Sequence, residues 1–88
     1  MSDEATTLAP RATAVLEHIV KSVVGAPDEV SIAVEHKGDN HIELVVSVGQ
    51  GDMGRVIGRR GRIANAIRTL VKAAGTVDDM TVDVEFAD

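Results

Sequence analysis

The chain has no cysteine, no tryptophan and no tyrosine, and phenylalanine occurs once, at Phe86. Without thiols there is neither a disulfide framework nor a thiolate metal site. Without Tyr or Trp, the usual aromatic platforms for stacking nucleic-acid bases, each worth ~1–3 kcal/mol per base, are missing. No apolar run approaches the ~20 residues that span a bilayer. The opening Met1-Ser2-Asp3-Glu4-Ala5-Thr6-Thr7 is acidic and polar, unlike the basic-then-apolar start of a signal peptide. A soluble, cytoplasmic domain with no membrane association is expected. The most informative absence is local: no acidic residue occurs from Met53 to Val77.

That acid-free segment carries six of the nine basic residues: Arg55, Arg59, Arg60, Arg62, Arg68 and Lys72. Only Arg11, Lys21 and Lys37 lie elsewhere, against all 14 acids, so a net charge of −5 divides into a basic segment and a strongly acidic remainder. Such asymmetry points to an anionic partner for one face despite an isoelectric point near 5.0.

Eighty-eight residues make one domain, near the size at which a single core suffices without staples. Residues 1–7 read as a flexible tail and 8–88 as the domain. From Leu8 to Val24 the apolar residues Ala12, Val15, Leu16, Ile19, Val20 and Val23 follow a helical period. Pro10 sits in its first turn, and Gly25 and Pro27 stop it. Val30, Ile32 and Val34 alternate as a strand, Lys37-Gly38-Asp39-Asn40 is turn chemistry, and Ile42, Leu44, Val46 and Val48 alternate as a second strand. Asp52 is a plausible N-cap for a short helix through Ile57. Ile63, Ile67, Leu70, Val71 and Ala74 mark a long amphipathic helix that Gly75 ends, with Asn65, Arg68 and Lys72 on its wet side. Met80, Val82, Val84 and Phe86 alternate as a third strand. The expected fold is α+β in the order α-β-β-α-α-β, a three-stranded sheet with three helices packed on one face.

At the centre of the basic segment stands Gly58-Arg59-Arg60-Gly61, joining two helices. A GxxG spacing alone means little in a chain with eight glycines; Gly51-Asp52-Met53-Gly54 is a second instance with an acid inside it. Context separates the two. Glycines permit a tight turn and leave the backbone N–H groups open to a phosphate. The following helix directs the positive end of its dipole at the same point. Arg59 and Arg60 project from the turn toward phosphate oxygens, with Arg55 and Arg62 beside them. The bland alternative is a helix–helix turn with solvated arginines, which requires neither two arginines nor 25 acid-free residues around it.

The run Val56-Ile57-Gly58-Arg59-Arg60-Gly61-Arg62-Ile63-Ala64-Asn65-Ala66-Ile67-Arg68 resembles the helix–GxxG–helix core of KH domains. With the element order, the Lys21-Ser22 end of the first helix and the Pro27-Asp28-Glu29-Val30 entry to the first strand, residues 8–86 resemble the small bacterial single-KH RNA-binding proteins of the KhpA type, with a type II KH fold. The resemblance implies a groove for about four nucleotides of single-stranded RNA or DNA. Its site would comprise Arg55, Ile57, Gly58, Arg59, Arg60, Gly61, Arg62 and Ile63, with Ile57 and Ile63 as an aliphatic floor. It further implies an opposite wall that includes Gly75-Thr76-Val77-Asp78-Asp79. The implied role is RNA chaperoning or post-transcriptional regulation linked to cell growth or shape. The acting unit would be a homodimer or a heterodimer with a Jag-type KH protein.

Two other classes compete. A helix-turn-helix reader of duplex DNA fits the short helix and basic second helix but leaves three strands without a purpose. A protein-interaction module would use the long helix near Asn65, Thr69 and Lys72. Enzyme chemistry has little support. There is no GxxxxGK[ST] loop, and His18, His36 and His41 follow no metal-ligand spacing. Asp78/Asp79 and Asp83/Glu85 read as a turn and an exposed strand face rather than an acid–base pair. No cofactor, metal or small-molecule substrate is expected.

Overall fold

The computed structural model describes residues 3–87; Met1, Ser2 and Asp88 lie outside the described residues. Four helices and three strands follow in the order α1 (Asp3–Leu8), α2 (Pro10–Val23), β1 (Ser31–Gly38), β2 (His41–Ser47), α3 (Met53–Ile57), α4 (Arg62–Val77) and β3 (Thr81–Ala87). Short 3-10 turns precede β1 (Pro27–Glu29) and α4 (Arg59–Gly61). The order is the expected one with an additional helix in front. None of the helices is long and apolar enough to cross a membrane, among the described residues.

The sheet order is β1-β2-β3. β1 and β2 form an antiparallel hairpin turning at Asn40, whose φ is 56°, while β2 and β3 run parallel with Leu44 opposite Val84. Alternation sorts the two faces of the sheet. Ile32, Ile42, Leu44, Val46, Val82 and Val84 turn inward and are buried, whereas Glu35, Glu43 and Asp83 share one row on the open face. Leu16 and Val20 of α2, Val56 of α3 and Ile67 and Val71 of α4 close the core over the inward face. The result is α+β, one mixed sheet with its helices on one side.

The segment read as a flexible tail is helical from Asp3. Ala5, Ala9 and Ala12 are completely buried, so small side chains let α1 lie close against the domain. The Thr13 hydroxyl donates to the Ala5 carbonyl at 2.9 Å, and Glu4 meets His36 of β1 at 2.8 Å. Pro10 forces the break between α1 and α2, since the residue before a proline is pushed out of helical space; Ala9 sits at φ −141°, ψ 72°.

Two aspartates tie α2 at its ends. Ala9 has no side chain able to cap α2. The Asp78 carboxylate does so from across the fold, accepting the N–H groups of Arg11 and Ala12 at 3.0 and 3.1 Å with its side chain 2% exposed. Asp52, expected to cap α3, makes no such bond; its carboxylate accepts the N–H groups of Gly25 and Ala26, both at 3.0 Å, just past the end of α2.

Gly75 does not end α4, which runs on to Val77. The glycine is there for contact: a Cβ would lie 2.7 Å from Val82 Cγ2. Leu70, expected in the core, is 52% exposed. Asp78→Ala should therefore lower stability by about 1–2 kcal/mol, the cost of a lost helix cap. In thermal unfolding that is a drop of roughly 4–16 °C for a domain of this size. Asp79→Asn, an exposed change at a position whose φ of 59° suits Asn, should stay within about 0.5 kcal/mol of wild type.

Candidate nucleic-acid interface

The loop from Gly58 to Gly61 is shaped by three positive φ angles. Gly58 adopts φ 74°, ψ 177°, a conformation open essentially to glycine alone. A Cβ there would fall 2.6 Å from Ile63 Cγ1, so Ile63 packs directly beneath the loop. Arg60 (φ 59°, ψ 24°) and Gly61 (φ 72°, ψ 15°) are both left-handed, and nothing lies within 4 Å of a Cβ built on Gly61. The Gly61 N–H donates to the Gly58 carbonyl at 3.2 Å, closing the turn immediately before α4.

This turn throws Arg59 and Arg60 outward. Both are exposed, as is Arg62 at the first position of α4. Among the described residues, none of the three forms an ion pair. Arg55 is partly committed: its Nε is 3.6 Å from Asp52 Oδ1, although its side chain is 63% exposed. Ile57 and Ile63 are half-buried and pack against the core. The structure thus gathers Arg59, Arg60 and Arg62 around one helix start over an aliphatic base, with Arg55 one turn back on α3.

The segment 75–79, expected as the opposite wall, stands well away from the loop. α4 has 16 residues, about 24 Å at ~1.5 Å each, and this segment lies at its far end from the loop. The Asp78 carboxylate is already spent on α2, which closes it to a nucleotide base.

Further along α4, a groove of about 430 Å³ runs between the helix and the free edge of β3, lined by Arg68, Thr69, Lys72 and residues 82–85. Sequence reading placed Arg68 on a wet face. It missed that Arg68 crosses to β3, donating from Nε to the Val84 carbonyl at 3.3 Å. It also missed a second apolar stripe on α4, Ala66, Leu70, Ala73 and Val77, all exposed. The spacing i, i+4, i+7, i+11 is present in the sequence, but Leu70 fits the first stripe as well.

Comparison with known proteins matches this sequence to one family. A model described as "KhpA/KhpB, KH domain" matches residues 13–86. The chain is a KH domain of the KhpA/KhpB family. Proteins named "RNA-binding protein KhpA" are similar over most of their length. That of Clostridium acetobutylicum is 49% identical over 71 residues, 81% of this chain and 93% of the relative. That of Borreliella burgdorferi is 45% identical over 73 residues, 83% of this chain and 88% of the relative. That of Listeria monocytogenes is 47% identical over 68 residues, 77% of this chain and 88% of the relative. No solved structure matches significantly.

In this KH domain the two loop glycines are not equivalent. Gly58→Ala should cost about 1–3 kcal/mol, because it meets both a forbidden backbone conformation and Ile63. Gly61→Asn should cost less than about 1 kcal/mol, since Asn tolerates left-handed backbone and the space is open. Denaturant unfolding of the two variants checks this; equal losses would contradict it.

Proposed function

We propose that this domain binds single-stranded RNA by gripping the sugar–phosphate strand at the Gly58–Gly61 loop. The observation that carries the reading is a set of exposed guanidinium groups around a helix start, on Arg59, Arg60 and Arg62, that find no carboxylate among the described residues. The relatives' printed name, RNA-binding protein, supports it.

Each residue then has a role. Gly58 and Gly61 keep the turn tight and its backbone approachable. Arg59 and Arg60 pair with phosphate oxygens, and Arg55 and Arg62 extend the positive field on either side. Bases lie over Ile57 and Ile63. The same groups would hold single-stranded DNA, because phosphate contacts carry no sugar information. No catalytic step, metal or cofactor enters this account.

Two or three phosphate contacts give a shallow salt dependence, a log–log slope of about −1.4 to −2.1 for a single strand. One domain is therefore a weak binder of low sequence selectivity, micromolar or poorer, and useful affinity comes from pairing two domains. The exposed stripe of Ala66, Leu70, Ala73 and Val77 on α4 favours that pairing, with a second copy or with a Jag-type KH protein. In the cytoplasm such a dimer would act as an RNA chaperone or post-transcriptional regulator. The reading of the protein as an assembly module, expected near Asn65, Thr69 and Lys72, would use this stripe instead and differs in making RNA incidental.

Charge reversal separates the two readings. Arg59→Glu with Arg60→Glu should abolish RNA binding in fluorescence anisotropy while thermal stability and self-association stay unchanged; unchanged RNA binding would reject the loop as the clamp. Leu70→Glu should leave the fold intact, shift sedimentation toward the monomer and weaken binding to RNA long enough to engage two domains. A variant that remains dimeric would remove the stripe as the interface.

A further inference from the structure

Arg68 and Phe86 form a pair that the loop clamp does not use. Arg68 leaves α4 six residues after Arg62, about 9 Å along the helix axis. Its Nε donates to the Val84 carbonyl at 3.3 Å and its Nη1 to Asn65 Oδ1 at 3.3 Å. Its Cζ lies 5.1 Å from the centroid of the Phe86 ring. The guanidinium is therefore held in place by two hydrogen bonds and backed by the chain's single aromatic ring, yet the residue is exposed and lines the α4–β3 groove. At about 430 Å³ the groove is within the ~300–1,000 Å³ typical of small-ligand sites.

Its two walls differ in charge. Arg68 and Lys72 line the α4 side, and Asp83 and Glu85 the β3 side. A single strand entering from the loop keeps its phosphates along the basic side formed by Arg68 and Lys72 and turns its bases toward β3. The guanidinium plane is then in the path of those bases, within reach of a four-nucleotide segment anchored at the loop. Unstacked RNA bases stack on arginine planes as they do on aromatic rings, and Phe86 behind the cation adds a cation–π contact that fixes its orientation.

We propose that Arg68, backed by Phe86, is a stacking platform for one base of the bound strand and gives a modest preference for a purine at that position. The proposal rests on the RNA-binding reading above. Purines are favoured because their larger ring system overlaps more of the plane, and differences in stacking strength underlie the modest base preferences of single-strand binders. A purely structural Arg68, pinning α4 to β3, would alter stability without altering base preference.

The test uses the full chain, titrated by NMR with UUUU and with the four tetranucleotides carrying one adenine. Adenine at one position should strengthen binding about 5-fold, the lower end of what one stacked base contributes. Arg68→Lys keeps the charge but not the plane; Phe86→Leu keeps the apolar packing but not the ring. Each should bring that preference to about unity, so that the adenine-bearing tetranucleotide loses about 5-fold more affinity than UUUU does. A preference that survives both substitutions, or the absence of any adenine-preferring position, overturns the proposal. The RNA reading itself is checked separately, since binding of UUUU that persists in the Arg59→Glu/Arg60→Glu variant refutes the loop clamp whatever the base preference.

Discussion

The parallel pairing of β2 with β3 is the constraint from which the rest of the layout follows. Two parallel neighbours cannot be joined by a tight turn; the chain must leave β2 at Ser47 and travel back to the other end of the sheet before starting Thr81. α4 makes that return, its 16 residues covering about 24 Å. Whatever connects β2 to α4 must therefore sit beyond the C-terminal ends of β2 and β3, and α3 and the glycine loop are that connection. The loop is thus fixed at one rim of the sheet by topology, held down by Val56 and Ile57 on one side and Ile63 on the other. Its exposure is a product of the crossover, and its curvature a product of Gly58 and the left-handed pair that follows.

Charge follows the same division. The acids are engaged elsewhere: Asp78 and Asp52 bond the backbone at the two ends of α2, while Glu43 and Asp83 meet Lys37 and His41 on the open sheet face. Glu35, Glu43 and Asp83 face one another across three strands, an arrangement of like charges that costs stability and that Lys37 offsets in part, while His41 hydrogen-bonds Asp83. None of these carboxylates reaches the loop. A chain of net charge −5 can therefore present Arg59, Arg60 and Arg62 without an ion-pair partner among the described residues.

Periodicity made most of the fold legible. The alternation of Ile42, Leu44 and Val46, and the helical spacing of Ala12, Leu16 and Val20, are read by the structure as the sequence presents them. What escaped was what depends on partners distant in sequence. α1 has only six residues, too few to be helical alone, and rests on Ala5, Thr13 and His36. Asp78 looks like a turn residue until the start of α2 is brought to it. Gly75 looks like a stop signal until Val82 is placed against it. Leu70 satisfies the core spacing as well as Ala66, Ala73 and Val77 satisfy their own, and only burial assigns it to the outer stripe. In the site, the glycines and arginines were visible because their chemistry is local, whereas the reach of Arg68 to Val84 and Phe86 is a tertiary fact.

α4 serves three surfaces at once, and their angular spacing explains why they do not compete. At ~100° per residue, Ala64, Ile67 and Val71 define the side facing the core. Asn65, Arg68 and Lys72 lie next to it, toward the β3 edge, and Ala66, Leu70, Ala73 and Val77 are centred about 140° further round. A partner seated on that outer stripe leaves both the groove and the loop open. This matters energetically because a strand held by two or three phosphate contacts per domain gains more from a second linked domain than from any one added contact: effective concentrations in the millimolar range raise avidity by about 10²–10⁴. A domain with a single aromatic residue has little base stacking to draw on. On the proposed reading, its economical route to tighter binding is a second loop on the same strand, and a second copy added at the outward side of α4 would leave the first loop uncovered.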